Sequence, residues 1–220
     1  MSDNFTSDQN MKKCLLSSCY FGPVWYYSKL ILFDETIIEQ FDHYTKQTYR
    51  NRCDIYGANG KLSLSIPIIK NHGYKMLMKD VMIDYATDWQ KMHYRALVSS
   101  YNSSAFFEYY FDELQSIYFR KTKFLLDLNN YLHSKICRFL DLPDILTLSQ
   151  KFACASANEA EDYRDIIHPK RSFEIDNHFR PSEYFQVFRD KHGFIPNLSV
   201  IDLLFNEGPQ ALSVLKQSTN

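Results

Sequence analysis

Three cations fall within seven residues of the segment YTKQTYRNRCD, at Lys46, Arg50 and Arg52. A pair such as Lys46 and Arg52 suits a phosphate or carboxylate, the guanidinium offering a two-pronged fork and the ammonium a point charge. If the chain is extended here, Arg50 and Arg52 share one face, Asn51 and Cys53 the other, and Lys46 stands at the mouth. The same residues equally make a solvated strand face with local ion pairs to Asp42 or Asp54. His93 follows Trp89 by four residues, so both lie on one face of a helix. A histidine there serves as general acid/base if a carboxylate orients it, with Asp202 or Asp88 available, or else as a hydrogen-bonded core residue. Asp202 and Asn206 stand one helical turn apart after PNLS. Ser199 reads as the N-cap with Asp202 as its reciprocal partner, while projection of Asp202 and Asn206 into a pocket stays open. The stretch DYRDIIHPK (162–170), with Tyr163, Arg164, Asp165, His168 and Lys170, reads as a charged surface loop or else as side chains that complete a pocket.

Several chemistries are excluded by absent patterns. The chain has no Gly-x-x-x-x-Gly-Lys phosphate loop, no Gly-x-Gly-x-x-Gly fingerprint and no Gly-x-Ser-x-Gly elbow. Its seven histidines lack His-x-x-x-His spacing and no Cys-x-x-Cys occurs, so no metal site is expected and no cofactor is indicated. A net charge of −1 argues against nucleic acid as a partner. No apolar run approaches the roughly 20 residues of a membrane span. Five irregularly spaced cysteines suit a reducing compartment, in which thiols act as small buried hydrophobes, and the expected location is cytoplasmic. Leu16-Ser17-Ser18-Cys19 has the form of a lipoprotein box, but only Cys14 and Leu15 separate it from Lys13, too few for an export signal.

The elements that must carry these residues follow from periodicity. Residues 1–12 read as a polar disordered lead and 13–215 as a single domain. A strand is expected from Cys14 to Ser18, a turn at Gly22-Pro23, a helix from Val24 to Phe33 and β structure from Thr36 to Phe41. Leu62, Leu64, Ile66 and Ile68 alternate with Lys61, Ser63 and Ser65 behind Gly57-Ala58-Asn59-Gly60, the pattern of a β-hairpin. DVMID reads as a further strand. A helix starts near Thr87, with Thr87 and Gln90 as a capping box and Trp89, Met92, His93, Ala96 and Leu97 on its inner side. A second carries Leu125, Leu128, Leu132, Ile136 and Phe139 up to a stop at Pro143, and DILTLSQ returns to strand. A last helix runs to Leu215 with a break at Gly208-Pro209. The aromatic run FFEYYF (106–111) exceeds one buried stripe and offers a surface to a sugar or a protein. The expected fold is α/β or α+β, a mixed sheet with a β-hairpin packed by three to five helices.

Four blocks together resemble the WbqC-like protein family: CYFGPVWYY (19–27), YTKQTYRNRCDI (44–55), DWQKMHYRALVSSYNSSAFF (88–107) and YFQVFRDKHGFIPNLSVIDLLFNEG (184–208). The resemblance spans about residues 14 to 208 and rests on their order, since none is a catalytic motif alone. It implies a place in bacterial surface-polysaccharide (O-antigen, capsule) precursor formation, by group transfer to an activated sugar. A non-catalytic binding or scaffold protein with a protein partner is the alternative. Carried over, the polar positions are Tyr44, Lys46, Asn51, Arg52, His93, Tyr101, Gln186, Ser199, Asp202 and Asn206. His93 and Asp202 are then the expected catalytic pair, and Tyr44, Lys46, Asn51, Arg52 and Asn206 the groups for an anionic or sugar substrate. The sequence departs from the pattern twice. Gln40-Phe41 stands where an acidic pair is expected, with Asp42 shifted, and the middle portion is reduced to KFACASANEAEDYRDIIHPK (151–170).

Overall fold

The first βαβ unit sets the frame. In a computed structural model that describes residues 11–69, 75–143, 146–153 and 160–219, Lys13–Ser17 forms β1, Val24–Leu32 forms α1 and Glu35–Glu39 forms β2. Cys14 to Leu16 and Ile38 are essentially without exposure, as a strand covered on both faces requires. β1 and β2 pair in parallel, Cys14 opposite Thr36 and Leu16 opposite Ile38. Two short strands from much later in the chain complete the sheet: β5 (Leu146–Leu148) on β2 and β6 (Glu161–Asp162) on β1, both parallel. The order is β5-β2-β1-β6. The lipoprotein-like box is thus the end of an inner strand. Residues 1–10 of the expected lead, and Asp144 and Ile145 of the expected strand, lie outside the described residues.

A separate hairpin, β3 (Arg52–Gly57) and β4 (Gly60–Ser65), pairs Cys53 with Leu64 and Ile55 with Leu62. Gly60 closes the turn at φ +95°, a conformation that L side chains rarely adopt, and an added Cβ would meet nothing within 4 Å. Its need for glycine is therefore conformational. The hairpin is stitched to the start of α1 through the segment before α6 (Val200–Glu207): Ser199 N–H donates to the Asp54 carbonyl at 2.8 Å and Val24 N–H to the Leu198 carbonyl at 2.9 Å.

Helix α2 (Trp89–Tyr101) begins where expected, but the capping box does not form. Gln90 instead donates to the carbonyls of Ile117 and Arg120, both at 2.6 Å. Trp89, His93 and Leu97 face the core while Met92 is 58% exposed, so the inner stripe is narrower than its apolar residues suggest. DVMID is no strand: Met78–Asp80 make one 3-10 turn, and Met82 and Ile83 form single bridges to Phe124 and Ile68. In α3 (Phe107–Leu114), Phe107, Tyr110 and Phe111 are buried, so the aromatic run is mostly core, with Tyr109 outside at 70% exposure. α4 (Leu125–Phe139) buries Leu125, Leu128, Leu132 and Ile136. After the four-residue α5 (Arg189–His192), α6 ends at Gly208, φ +54°, and α7 (Ala211–Gln217) follows a 3-10 turn. A Cβ at Gly208 would meet the Phe106 ring at 2.5 Å.

Candidate functional site

The carboxyl ends of the parallel strands hold a concentration of buried polar groups. In open α/β sheets this edge is where ligands bind. β1 runs out into Ser17 and Ser18, β2 into Glu39, and the chain leaving β6 supplies Arg164. Glu39, with no exposure, accepts from Ser149 Oγ at 2.8 Å and from the N–H groups of Phe41 and Ala153, each at 2.6 Å. Arg164 stands 3.7 Å from it and is held in a fork by Asp162. The segment 162–170, expected as a surface loop, therefore closes one side of this edge.

Beside Glu39 lies a second buried ion pair, Arg50 with Asp42, 4% and 8% exposed. Burial raises the Asp42 carboxyl above its ordinary value, an effect that Arg50 partly offsets. α4 reaches in with Asn129, whose Nδ2 donates to Ser18 Oγ at 2.9 Å and to the Arg50 carbonyl at 2.8 Å. Among the described residues four buried atoms here lack a hydrogen-bond partner: Arg50 Nε, Asp42 Oδ1, Asn51 Oδ1 and Asn129 Oδ1. Cys19, on the same edge, is no thiolate nucleophile near neutral pH, because burial pushes its thiol up to about 12.

Adjoining this edge is an open depression of about 500 Å³ whose lining includes Tyr44, Lys46, Gln47, Asn51, Arg52 and Ser65. Four of the five expected substrate-binding residues are thus brought around one space. Lys46 is exposed, while the Arg52 guanidinium is engaged on one side by Asp54 at 3.4 Å and Ser63 Oγ at 2.6 Å. The local Asp54 pair foreseen for a solvated strand face is therefore present together with the convergence. Burial pushes the Tyr44 hydroxyl up to about 12 against the nearby Arg50 charge, so the ion pair and the depression are electrostatically adjacent. Gln47 at the rim takes φ +58° and accepts from Lys170 at 2.7 Å. His168, with Arg50 among the charges facing it, is held below its usual value chiefly by burial.

His93, Asp202 and Asn206 do not line the depression. His93, 3% exposed, meets Tyr20 Oη at 3.0 Å through Nδ1 and hydrogen-bonds the Ser65 backbone, with the Trp89 ring edge-on at 5.1 Å. Burial depresses it to about 4, so it is neutral at physiological pH. Asp202, with no exposure, accepts from Tyr101 at 2.6 Å, Tyr184 at 2.7 Å and Gln186 at 3.1 Å. Among the described residues the two share no hydrogen-bond partner and are not bonded to each other. Asn206 donates to the Asp202 carbonyl and accepts from Ser104. Ser199 occupies the N-cap position without capping: its hydroxyl donates to the Phe21 carbonyl at 2.8 Å, and Asp202 is no reciprocal partner because its oxygens are taken.

Sequence reasoning missed Glu39 and Asn129, treated Arg50 only as a strand residue and reached Arg164 only as one member of the segment 162–170. Asn129 did leave a signal, a polar residue four positions after Leu125 and adjoining the apolar stripe of α4.

A four-stranded parallel sheet with a separate antiparallel hairpin and packed helices defines an α/β protein. The chain belongs to the WbqC-like protein family, whose model matches residues 18–175. That span includes the edge from Ser18 onward and the depression, but not Asp202 or Asn206. The chain is 29% identical to an uncharacterised protein of Mycobacterium tuberculosis, Rv1507c, over 228 aligned positions covering 94% of this chain and 98% of that protein. No solved structure matches significantly. Among the described residues no helix is long and apolar enough to cross a membrane.

Proposed function

We propose that this protein is an enzyme of bacterial surface-polysaccharide precursor formation, acting by group transfer on a small anionic, sugar-bearing substrate held at the carboxyl edge of its parallel sheet. The observation that carries the reading is the convergence of Tyr44, Lys46, Asn51 and Arg52 around one depression beside the buried Arg50–Asp42 pair. Lys46 and the open side of Arg52 hold the anion. Asp42, a carboxyl raised by burial next to a fixed cation, is the better acid/base candidate than His93. His93 acts from beneath as a positioning residue, fixing the Ser65 backbone at the depression's lining. Cys14, Cys19 and Cys53 are buried thiols outside any disulfide, which supports a reducing, cytoplasmic setting.

A second reading, a non-catalytic binding or scaffold protein on the same fold, is favoured by one observation: His93 and Asp202 are both sealed from solvent. A thermal-shift screen of the purified chain against nucleotide sugars, sugar phosphates, amino acids and nucleotides separates the readings, run beside Lys46→Ala and Arg52→Ala. A ligand at 100 times its dissociation constant adds about 2.7 kcal/mol of stability, readily seen. A shift lost in both variants supports the anion site and names the class of substrate to assay for turnover. A well-folded protein that no compound stabilises refutes the enzyme reading and leaves the scaffold.

A further inference from the structure

Lys46 and Arg52 are not the only charges on the depression. Asp84 lines it too, from a part of the chain that the anion position does not use. Backbone pairing fixes where it stands. Residues 65–68 run through the middle: Ile66 N–H donates to the Asn51 carbonyl at 2.8 Å on one flank, and Asp84 N–H to the Pro67 carbonyl at 2.9 Å on the other, where Ile68 bridges Ile83. Arg52 lies opposite Ser65 on the first flank. Neighbouring extended segments are spaced by about 4.8 Å, so the backbones that carry Arg52 and Asp84 are about 10 Å apart, with apolar Ile66, Pro67 and Ile68 lining the space between them.

Asp84 is half-buried and oriented. One carboxylate oxygen accepts from Ala86 N–H at 2.8 Å, an Asx turn that holds the side chain, and among the described residues the other oxygen has no hydrogen bond. Among the described residues neither Asp84 nor Lys46 has an ion-pair partner, so a carboxylate and an ammonium line one space without neutralising each other. This arrangement separates ligands by charge. Inorganic phosphate or a simple sugar phosphate gains from Lys46 and Arg52 but is opposed by Asp84, because salt screens charges only partly across so small a space. A neutral sugar uses none of the three charges. A ligand with an anionic group at one end and an ammonium at the other complements both flanks, and its ring lies over the apolar residues between. We infer that the depression takes an amino-sugar phosphate, the phosphate held by Lys46 and Arg52 and the protonated amine by Asp84. The inference rests on the anion position given above, names the substrate class for it and makes Asp84 the residue that sets specificity.

The test is titration calorimetry of the full-length chain, at low salt and near neutral pH, with D-glucosamine 6-phosphate, D-glucose 6-phosphate and N-acetyl-D-glucosamine 6-phosphate. These carry an ammonium, a hydroxyl and a neutral amide on the same carbon. Asp84→Asn removes the charge and keeps an acceptor for Ala86 N–H, Asp84→Ser does the same with a shorter side chain should the first variant fold poorly, and Lys46→Ala probes the anion position. The parent should bind glucosamine 6-phosphate about fivefold more tightly than either of the others, equivalent to about 1 kcal/mol, the upper end for a part-exposed ion pair. In both Asp84 variants that preference should fall below about twofold, through weaker binding of the amine while glucose 6-phosphate binds no worse than to the parent. Lys46→Ala should weaken all three by a similar factor. Three phosphates bound equally by the parent and weakened in Lys46→Ala overturn the amine position and leave the anion position intact. A preference for the amine that survives in both Asp84 variants overturns the role of Asp84. If none of the three binds, the amino-sugar inference falls, and the screen with nucleotide sugars decides the anion position separately.

Discussion

Asp202→Asn and His93→Gln, made singly and together, ask whether the two sealed titratable groups act as one unit. Burial lifts the Asp202 carboxyl to about 6 from its usual 3.8, against the hydrogen bonds of Tyr101, Tyr184 and Gln186. The folded chain therefore binds that proton more readily than the unfolded one. Its contribution to stability is full below about pH 4 and lost as pH rises through about 6. At about 1.4 kcal/mol per tenfold change in acidity, the swing is about 3 kcal/mol. His93 runs the other way, since burial lowers it to about 4 from 6.5. Its contribution is full above about pH 6.5 and lost as pH falls through about 4, again by about 3 kcal/mol. In the parent the two slopes nearly cancel across this window. Asp202→Asn should unmask a stability that rises with pH, and His93→Gln one that falls with it, each displacing the melting temperature by about 6–12 °C between the ends of the window. The groups share no hydrogen-bond partner, so the double variant should be additive within about 0.5 kcal/mol. Denaturant melts at closely spaced pH values read this directly. An Asp202→Asn profile parallel to the parent's would refute the reasoning, and non-additivity of a kcal/mol or more would restore a coupled His93–Asp202 pair.

Gly208→Ala places a methyl against the Phe106 ring at φ +54° and should cost about 2–4 kcal/mol by urea denaturation. Lys29→Met removes the cation from Asp176 in a pair where Lys29 has no exposure and should cost about 3–5 kcal/mol; a neutral outcome would mean that Trp25 and the His178 N–H suffice to hold that carboxylate. Ser199→Ala loses the bond to the Phe21 carbonyl and should lower stability by about 1–2 kcal/mol, while Ser199→Asp, which caps a helix as well as serine but cannot donate that bond, should fail to recover it. Recovery by Asp would point to capping after all.

Local pattern carried much of the fold. β1, α1, β2, the hairpin, α2, α4 and the broken last helix all follow from periods of two or 3.6 and from Gly and Pro punctuation, because short-range sterics decide them. What it could not carry was partnership. β6 is two residues long and gains strand identity from Cys14 and Leu15 beside it. Leu62 alternates correctly yet is 40% exposed, since alternation cannot say whether the second face of a hairpin meets the core. The edge cluster gathers Ser18, Glu39, Arg50, Asn129 and Arg164 from five separated stretches, so spacing along the chain could not bring them together. The depression was more legible because Tyr44, Lys46, Asn51 and Arg52 lie within nine residues.

The strand order also governs when the molecule can exist. β1 and β2 emerge first during synthesis, but their outer flanks are covered only by strands at 146–148 and 161–162, and α1 must wait for α6 and α7 to pack against it. Until most of the chain has left the ribosome, the nascent protein presents two apolar strands with unpaired edges, a template for joining another chain. Late completion makes this a slow, non-local fold by topology. Truncation after α4 should leave an insoluble βαβ fragment, and the yield of intact protein should depend on holding chaperones and on translation rate more than on the stability finally reached.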